Sequence, residues 1–172
     1  MVDEEKIAVR QEDLDPSFAR EVARHRGGEA IAKCFICGTC TASCPVRAVD
    51  ETFDPRRLIR MILVGMKREI FESDAMWLCA GCQTCTDRCP QGVAVGDIMV
   101  IVRNLAVREG IIHPSYRLQM AELRKYGKLY ESAPYNKKRD KMALPPLKDD
   151  PAPARSILAA AGIDDKAGEG PT

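Results

Sequence analysis

Between Asp54 and Lys67 the apolar residues Leu58, Ile59, Ile62, Leu63 and Met66 fall on one side of a helical repeat, and Arg56, Arg57, Arg60 and Lys67 take the other. Asp54 is a suitable N-cap, and Pro55 suits the first helical position because its missing N–H would be unpaired there anyway. A second strong periodic run, Ile98, Ile101, Val102 and Leu105, predicts a helix opening near Asp97 and stopping at Gly110. Two shorter helices are predicted on either side. Asp15-Pro16 starts one that carries Phe18 and Val22; Pro114-Ser115 starts another that carries Tyr116, Met120 and Leu123 and ends at Gly127. No segment alternates apolar and polar residues between hairpin turns, so a β-rich architecture is disfavoured and an all-α fold is expected.

Past Ala133 the pattern fades. Pro134, Pro145, Pro146, Pro151 and Pro153 stand among lysines and aspartates, which reads as an extended C-terminal tail. Only Pro153 to Ala161 looks able to form a short helix, as a surface turn in preference to a docking peptide. The expected organisation is an N-terminal extension over 1–13, a helical domain over 14–131 and a proline-rich tail over 132–172, in a chain long enough for one domain of ordinary size.

Charge adds little direction. The 26 basic and 25 acidic side chains nearly cancel, with no long block of one sign, and nothing argues for nucleic acid. Asp97, Arg103 and Asn104 interrupt the most hydrophobic region, so no membrane insertion is expected. The opening Met1-Val2-Asp3-Glu4-Glu5 is acidic and has no apolar signal core behind it, which points to a cytoplasmic location. No nucleophile with a neighbouring base, phosphate loop or nucleotide fingerprint appears, so catalytic residues are expected to be absent.

The eight cysteines change the picture. They fall into two groups of identical spacing, Cys34, Cys37, Cys40, Cys44 and Cys79, Cys82, Cys85, Cys89, each closed by a proline, Pro45 or Pro90. In a reducing compartment such thiols are metal ligands or redox groups before they are disulfides. Three cysteines at two-residue gaps can curl around three irons of a cubane and leave the fourth iron to a cysteine from elsewhere. In two-cluster ferredoxins the fourth cysteine of each motif crosses to the other cluster. The expected sets are therefore Cys34, Cys37, Cys40 and Cys89 for one 4Fe–4S cluster and Cys79, Cys82, Cys85 and Cys44 for the other. Crossing ties the halves together and favours an electron relay over two independent ions. Structural zinc is the main alternative, though zinc sites more often draw two cysteine pairs from across a longer loop.

The residues between the ligands differ. Gly38, Thr39, Ala80 and Gly81 are small enough to let backbone N–H groups approach the sulfurs. Phe35 and Ile36 are expected to keep water off the first site, whereas Gln83 and Thr84 leave the second more polar, so the two potentials should differ. Lys33, Arg47 and Arg88 adjoin ligands and either offset cluster charge or are ordinary solvated cations. Trp77 is expected in the core or over a cluster. His25 and His113 are read as ordinary surface residues.

With these motifs, the chain resembles the C subunit of heterodisulfide reductase, a helical two-cluster ferredoxin type, over about residues 15–130. The resemblance rests on the two cysteine groups about 45 residues apart and on Asp54-Pro55-Arg56-Arg57-Leu58-Ile59-Arg60-Met61 between them. Trp77-Leu78-Cys79 before the second group and Glu109-Gly110-Ile111-Ile112 after the last long helix complete it. The cysteine pattern alone is shared with iron–sulfur domains of succinate, glycerol-3-phosphate and dihydropyrimidine dehydrogenases. The resemblance implies a non-catalytic electron-transfer component of an oxidoreductase complex acting on a disulfide. Its partners would be the heterodisulfide reductase A and B subunits. The A subunit bears flavin and iron–sulfur clusters and delivers electrons; the B subunit cleaves the coenzyme M–coenzyme B disulfide. All eight cysteines carry over as ligands of two 4Fe–4S clusters. The alternatives are an iron–sulfur component of another oxidoreductase, quinone-linked or in sulfur metabolism, and a zinc-stabilised structural module. The cysteine loops hold few apolar residues, which also suggests that folding depends on metal.

Overall fold

A computed structural model describes residues 10–162; the acidic opening Met1-Val2-Asp3-Glu4-Glu5 lies outside the described residues. Among the described residues every regular element is helical, as expected, and none is long and apolar enough to cross a membrane. The chain divides into two compact units, Met1–Ile111 and Ile112–Thr172.

The first unit is built around two longer helices, α3 (Pro55–Val64) and α6 (Val95–Arg108). The short helices α1 (Phe18–Ala23) and α4 (Lys67–Phe71) pack with them. Two single-turn helices, α2 (Thr39–Ala42) and α5 (Thr84–Asp87), lie inside the cysteine motifs. The core collects Phe18 and Val22 from α1, Leu58, Ile59 and Ile62 from α3, and Ile98, Met99, Val102 and Leu105 from α6. Ile70, Phe71 and Met76 close it. Each such fully buried side chain contributes about 1.5–3 kcal/mol, so this core sets the frame on which the cysteine loops hang.

The start of α3 is as expected: the Asp54 carboxylate accepts the Arg57 N–H at 3.0 Å, and Pro55 occupies the first turn. Its end is earlier than the apolar stripe suggests. Gly65 terminates the helix at φ 86°, and a Cβ there would lie 2.4 Å from the Asp15 carbonyl oxygen, so Met66 belongs to the next element. Lys67, expected on the solvent side, is instead half-buried at the junction of α1, α4 and the end of α6. Its ammonium pairs with Glu21 at 3.0 Å and Glu109 at 2.7 Å and lies over the rings of Phe18 and Phe71, which themselves meet edge to face. Burial would push the Lys67 amine down, but the two carboxylates outweigh it and hold its pKa above the ordinary value.

In the second unit α7 (Pro114–Tyr126) begins and ends as its sequence indicates, with the His113 ring accepting the Ser115 N–H at the N-terminus and Gly127 at φ 75° after the last turn. His113 is therefore a helix cap. The segment 132–172 holds two helices among its described residues, α8 (Ala133–Asp140) and α9 (Ala152–Ala160); the second was expected over nearly that span, the first was not. Polar contacts hold this segment. Asn136 exchanges two hydrogen bonds with the Leu147 backbone, Arg155 donates to the Arg124 carbonyl at 2.8 Å, and Lys128 pairs with Asp149 at 3.0 Å. None of these leaves an apolar period to read.

Candidate iron–sulfur site

The two cysteine motifs fold alike, and the likeness runs past the cysteines. Each passes through two left-handed residues: Ile36 (φ 61°) and Gly38 (φ 87°) in the first, Gly81 (φ 67°) and Gln83 (φ 62°) in the second. These turns bend the chain back so that the second and third cysteines of each motif, Cys37 and Cys40 or Cys82 and Cys85, flank the start of a one-turn helix, α2 or α5. The threonine after the third cysteine then caps the next long helix. Thr41 Oγ1 accepts the Arg56 N–H, and Thr86 Oγ1 accepts the Gly96 N–H, both at 3.0 Å and both at the second residue of the helix. Thr41 donates onward to Asp54 at 2.6 Å, and Thr86 to the Gln83 amide oxygen at 2.9 Å. This explains why α6 opens at Val95 and not at Asp97: its cap comes from eight residues before Ala94, out of reach of a local pattern. Both threonines were missed in the sequence, where the repeated Cys-x-Thr-Cys-Thr was the available signal.

A recess within this framework is lined by Cys79, Cys82 and Cys85 of the second motif together with Cys44 of the first. Its remaining wall includes Phe53, Pro55, Val46 and Met99, with Ala80 and Gly81 presenting backbone. In the first motif Cys34 and Cys37 lie within electrostatic reach of Cys40. Cys40 in turn acts on Cys85 across the α2–α5 contact, so the motifs are adjacent. Cys44 and Cys89 occupy matching places: Cys44 Sγ accepts the Arg47 N–H at 3.5 Å, and Cys89 Sγ accepts the Val93 N–H at 3.4 Å. Among the described residues no three or more His, Cys, Asp or Glu side chains gather as around one metal ion.

The thiols pair by environment as well as by place. Cys37 and Cys82 are exposed, and hydrogen bonds with Thr39 and Thr84, each 3.4 Å away, hold their pKa values below the ordinary one. Burial pushes Cys40 up, and it pushes Cys85 to about 11, with the Cys79 and Cys40 thiolates adding to the shift. A metal binding here must displace protons from the inner cysteines while the outer ones are predisposed to lose theirs. Sulfur-rich ligands, backbone N–H groups aimed at two sulfurs and a mostly apolar wall together fit a thiolate-ligated iron–sulfur cluster.

Phe35 is 59% exposed and does not shield the first motif as expected, because the left-handed turn at Ile36 directs the chain outward at this point. Gln83, expected to bring polarity, spends its amide on Thr86 and, at 3.2 Å, on Asp97. Trp77 packs against the core as anticipated.

Residues 29–93 match the 4Fe–4S dicluster domain family. Over 117 residues the chain is 33% identical to the C subunit of the H2:CoB-CoM heterodisulfide,ferredoxin reductase of Methanothermobacter thermautotrophicus, covering 68% of this chain and 62% of that protein. It is 33% identical over 124 residues to the C subunit of the ferredoxin/F420H2-dependent CoB-CoM heterodisulfide reductase of Methanosarcina acetivorans, covering 70% and 74%. It is 30% identical over 148 residues to the second of the C-type iron-sulfur subunits of CoB–CoM heterodisulfide reductase in Methanocaldococcus jannaschii, covering 80% and 77%. The chain thus spans less than two thirds of the first of these relatives and about three quarters of the other two.

Proposed function

The chain belongs to the family of heterodisulfide reductase C subunits, and from that premise we propose that it is the electron-transfer component of a cytoplasmic heterodisulfide-reductase-type complex. It takes electrons from the A subunit, which bears flavin and iron–sulfur clusters, and passes them to the disulfide-reducing B subunit. Two 4Fe–4S clusters are held by Cys34, Cys37, Cys40 and Cys89 and by Cys79, Cys82, Cys85 and Cys44. When bound, the clusters supply reversible one-electron carriers.

The observation that carries this reading is the recess in which Cys44, from the first motif, joins Cys79, Cys82 and Cys85. A cysteine borrowed across motifs is what the crossed arrangement requires, and by the internal repeat Cys89 completes the other set. The protein's own part is to hold the ligands. The left-handed turns aim the thiols, the Thr41 and Thr86 caps lock each loop to a core helix, and the Phe53–Met99 wall excludes water. The chain is proposed as non-catalytic on its own.

The test is iron and acid-labile sulfide content together with an electron paramagnetic resonance spectrum after dithionite reduction without oxygen. About eight irons per chain and a spectrum of two interacting reduced clusters are expected for two cubanes. Zinc in place of iron, with no signal, would contradict the reading.

A further inference from the structure

Helix α3 carries Arg56, Arg57 and Arg60 on its outward face, all exposed, and among the described residues none of them is ion-paired. They rim a groove whose apolar floor includes Ile36, Met61 and Val64. The nearby Asp54 carboxylate does not serve them as a salt-bridge partner; it is engaged by the Thr41 hydroxyl at 2.6 Å and the Arg57 N–H at 3.0 Å. The chain as a whole carries only +1, so this concentration of positive charge is local. The groove also reaches the first cysteine motif. Ile36 sits between Cys34 and Cys37, the Arg56 side chain lies 3.5 Å from where a Gly38 Cβ would stand, and Cys37 and Phe35 are exposed beside it.

Arginines around an apolar centre that includes methionine are the composition of a protein interface core and not of a solvated face. A nucleic acid or a small anion would use the guanidinium groups and leave the apolar floor uncovered. Its position beside the exposed end of the first motif suits passage of an electron to or from whatever docks there.

We propose that this groove is the docking surface for a redox partner that presents carboxylates around an apolar anchor, and that the Cys34–Cys40 motif is the terminal facing that partner. The proposal rests on the electron-carrier reading above and assigns the face that the carrier uses. Electrostatic complementarity of this kind speeds encounter and makes binding weaken as salt screens the charges.

The test uses the iron-loaded full chain and, as probes, the purified A and B subunits of the same complex, titrated separately at low and high salt. The triple variant Arg56→Gln, Arg57→Gln, Arg60→Gln should bind one of the two about tenfold more weakly or worse, with a flattened salt dependence. A control removing the same charge from α8, Lys137→Gln, Lys138→Gln, Arg139→Gln, should bind as wild type. Iron content and the reduced spectrum should be unchanged in both, which separates loss of docking from loss of the clusters. Wild-type affinity of the triple variant for both probes overturns the proposal, as does an equal loss in the control. A triple variant that loses only a heparin or DNA probe overturns it in favour of a polyanion site. A wild-type chain without iron would sink the carrier reading instead, while the same binding comparison would still decide the surface.

Discussion

The two cysteine motifs share a backbone but divide its demands differently. Both need left-handed residues at two places, and each has only one glycine for them: the first puts it at Gly38 and leaves Ile36 at φ 61°, the second puts it at Gly81 and leaves Gln83 at φ 62°. Facing residues compensate. Gly38 lies under the side chain of Arg56, whereas Gln83 lies over Gly96, where a Cβ would meet its amide oxygen at 2.3 Å. Small against large is kept, and the partners are exchanged. Beside the first motif the facing residue is thus an exposed charged side chain, and beside the second a neutral amide locked to Thr86 and Asp97. The same template gives two motifs with matched thiol exposure and different facing residues.

Metal removal should have the largest effect and should erase the distinction. Without ligated metal the loops lose what gathers their thiols, and structural thiolate sites in general are worth on the order of 10 kcal/mol. Chelation is expected to melt α2 and α5 together, read as loss of amide protection in both motifs; an apo-protein that stays helical and cooperative would contradict this.

Next come the threonine caps. Thr86→Val removes the one side-chain cap of α6 and leaves the Gly96 N–H unpaired, at a cost of about 1–2 kcal/mol in denaturant unfolding of the loaded protein. Thr41→Val should cost less, about 1 kcal/mol or under, because Asp54 still caps α3. Equal losses would mean that the caps do not differ as described.

Exchanging the left-handed residues sharpens the contrast. A β-branched residue at positive φ is strained, so Ile36→Gly should stabilise by up to about 1 kcal/mol despite the greater freedom of glycine in the unfolded chain. Gln83→Gly should not stabilise, since it also removes the bonds to Thr86 and Asp97. Parallel gains in both variants would argue against a bonded role for Gln83.

The smallest effect is acidic and confined to the first repeat. Burial pushes the Asp54 carboxyl up, but bonds from Thr41 and the Arg57 N–H, with Arg56 and Arg47 nearby, leave it below its ordinary value. A lowered folded pKa adds stability that is fully present above the unfolded value of about 3.9 and is lost as pH falls through the folded one. Protection at the start of α3 should thus decline in that range before protection at the start of α6, where Ala94 has no titrating cap, and Asp54→Asn should flatten the difference.

The sequence made the two long helices legible because their apolar stripes and the Asp54-Pro55 start are local signals. The pairing of Thr86 with α6 and the place of Lys67 between Glu21 and Glu109 depend on residues far apart in the chain, and no periodicity records them. The cysteine spacing announced the chemistry of the site, but not which residues face each motif. Phe35 looked like a shield by composition, and only the turn at Ile36 decides that it faces water. In the second unit, α8 is held by Asn136 and its neighbours through backbone hydrogen bonds, which leave no trace in an apolar pattern.

The most direct test of the crossed ligation is iron content in paired cysteine variants. Cys44→Ser should leave about four irons per chain, one cubane's worth, and Cys44→Ser with Cys79→Ser should leave the same, since both serve one cluster. Cys44→Ser with Cys34→Ser should leave none. The reverse pattern, with Cys44 and Cys34 acting together and Cys44 and Cys79 acting separately, would mean that each motif ligates its own cluster and would contradict the account.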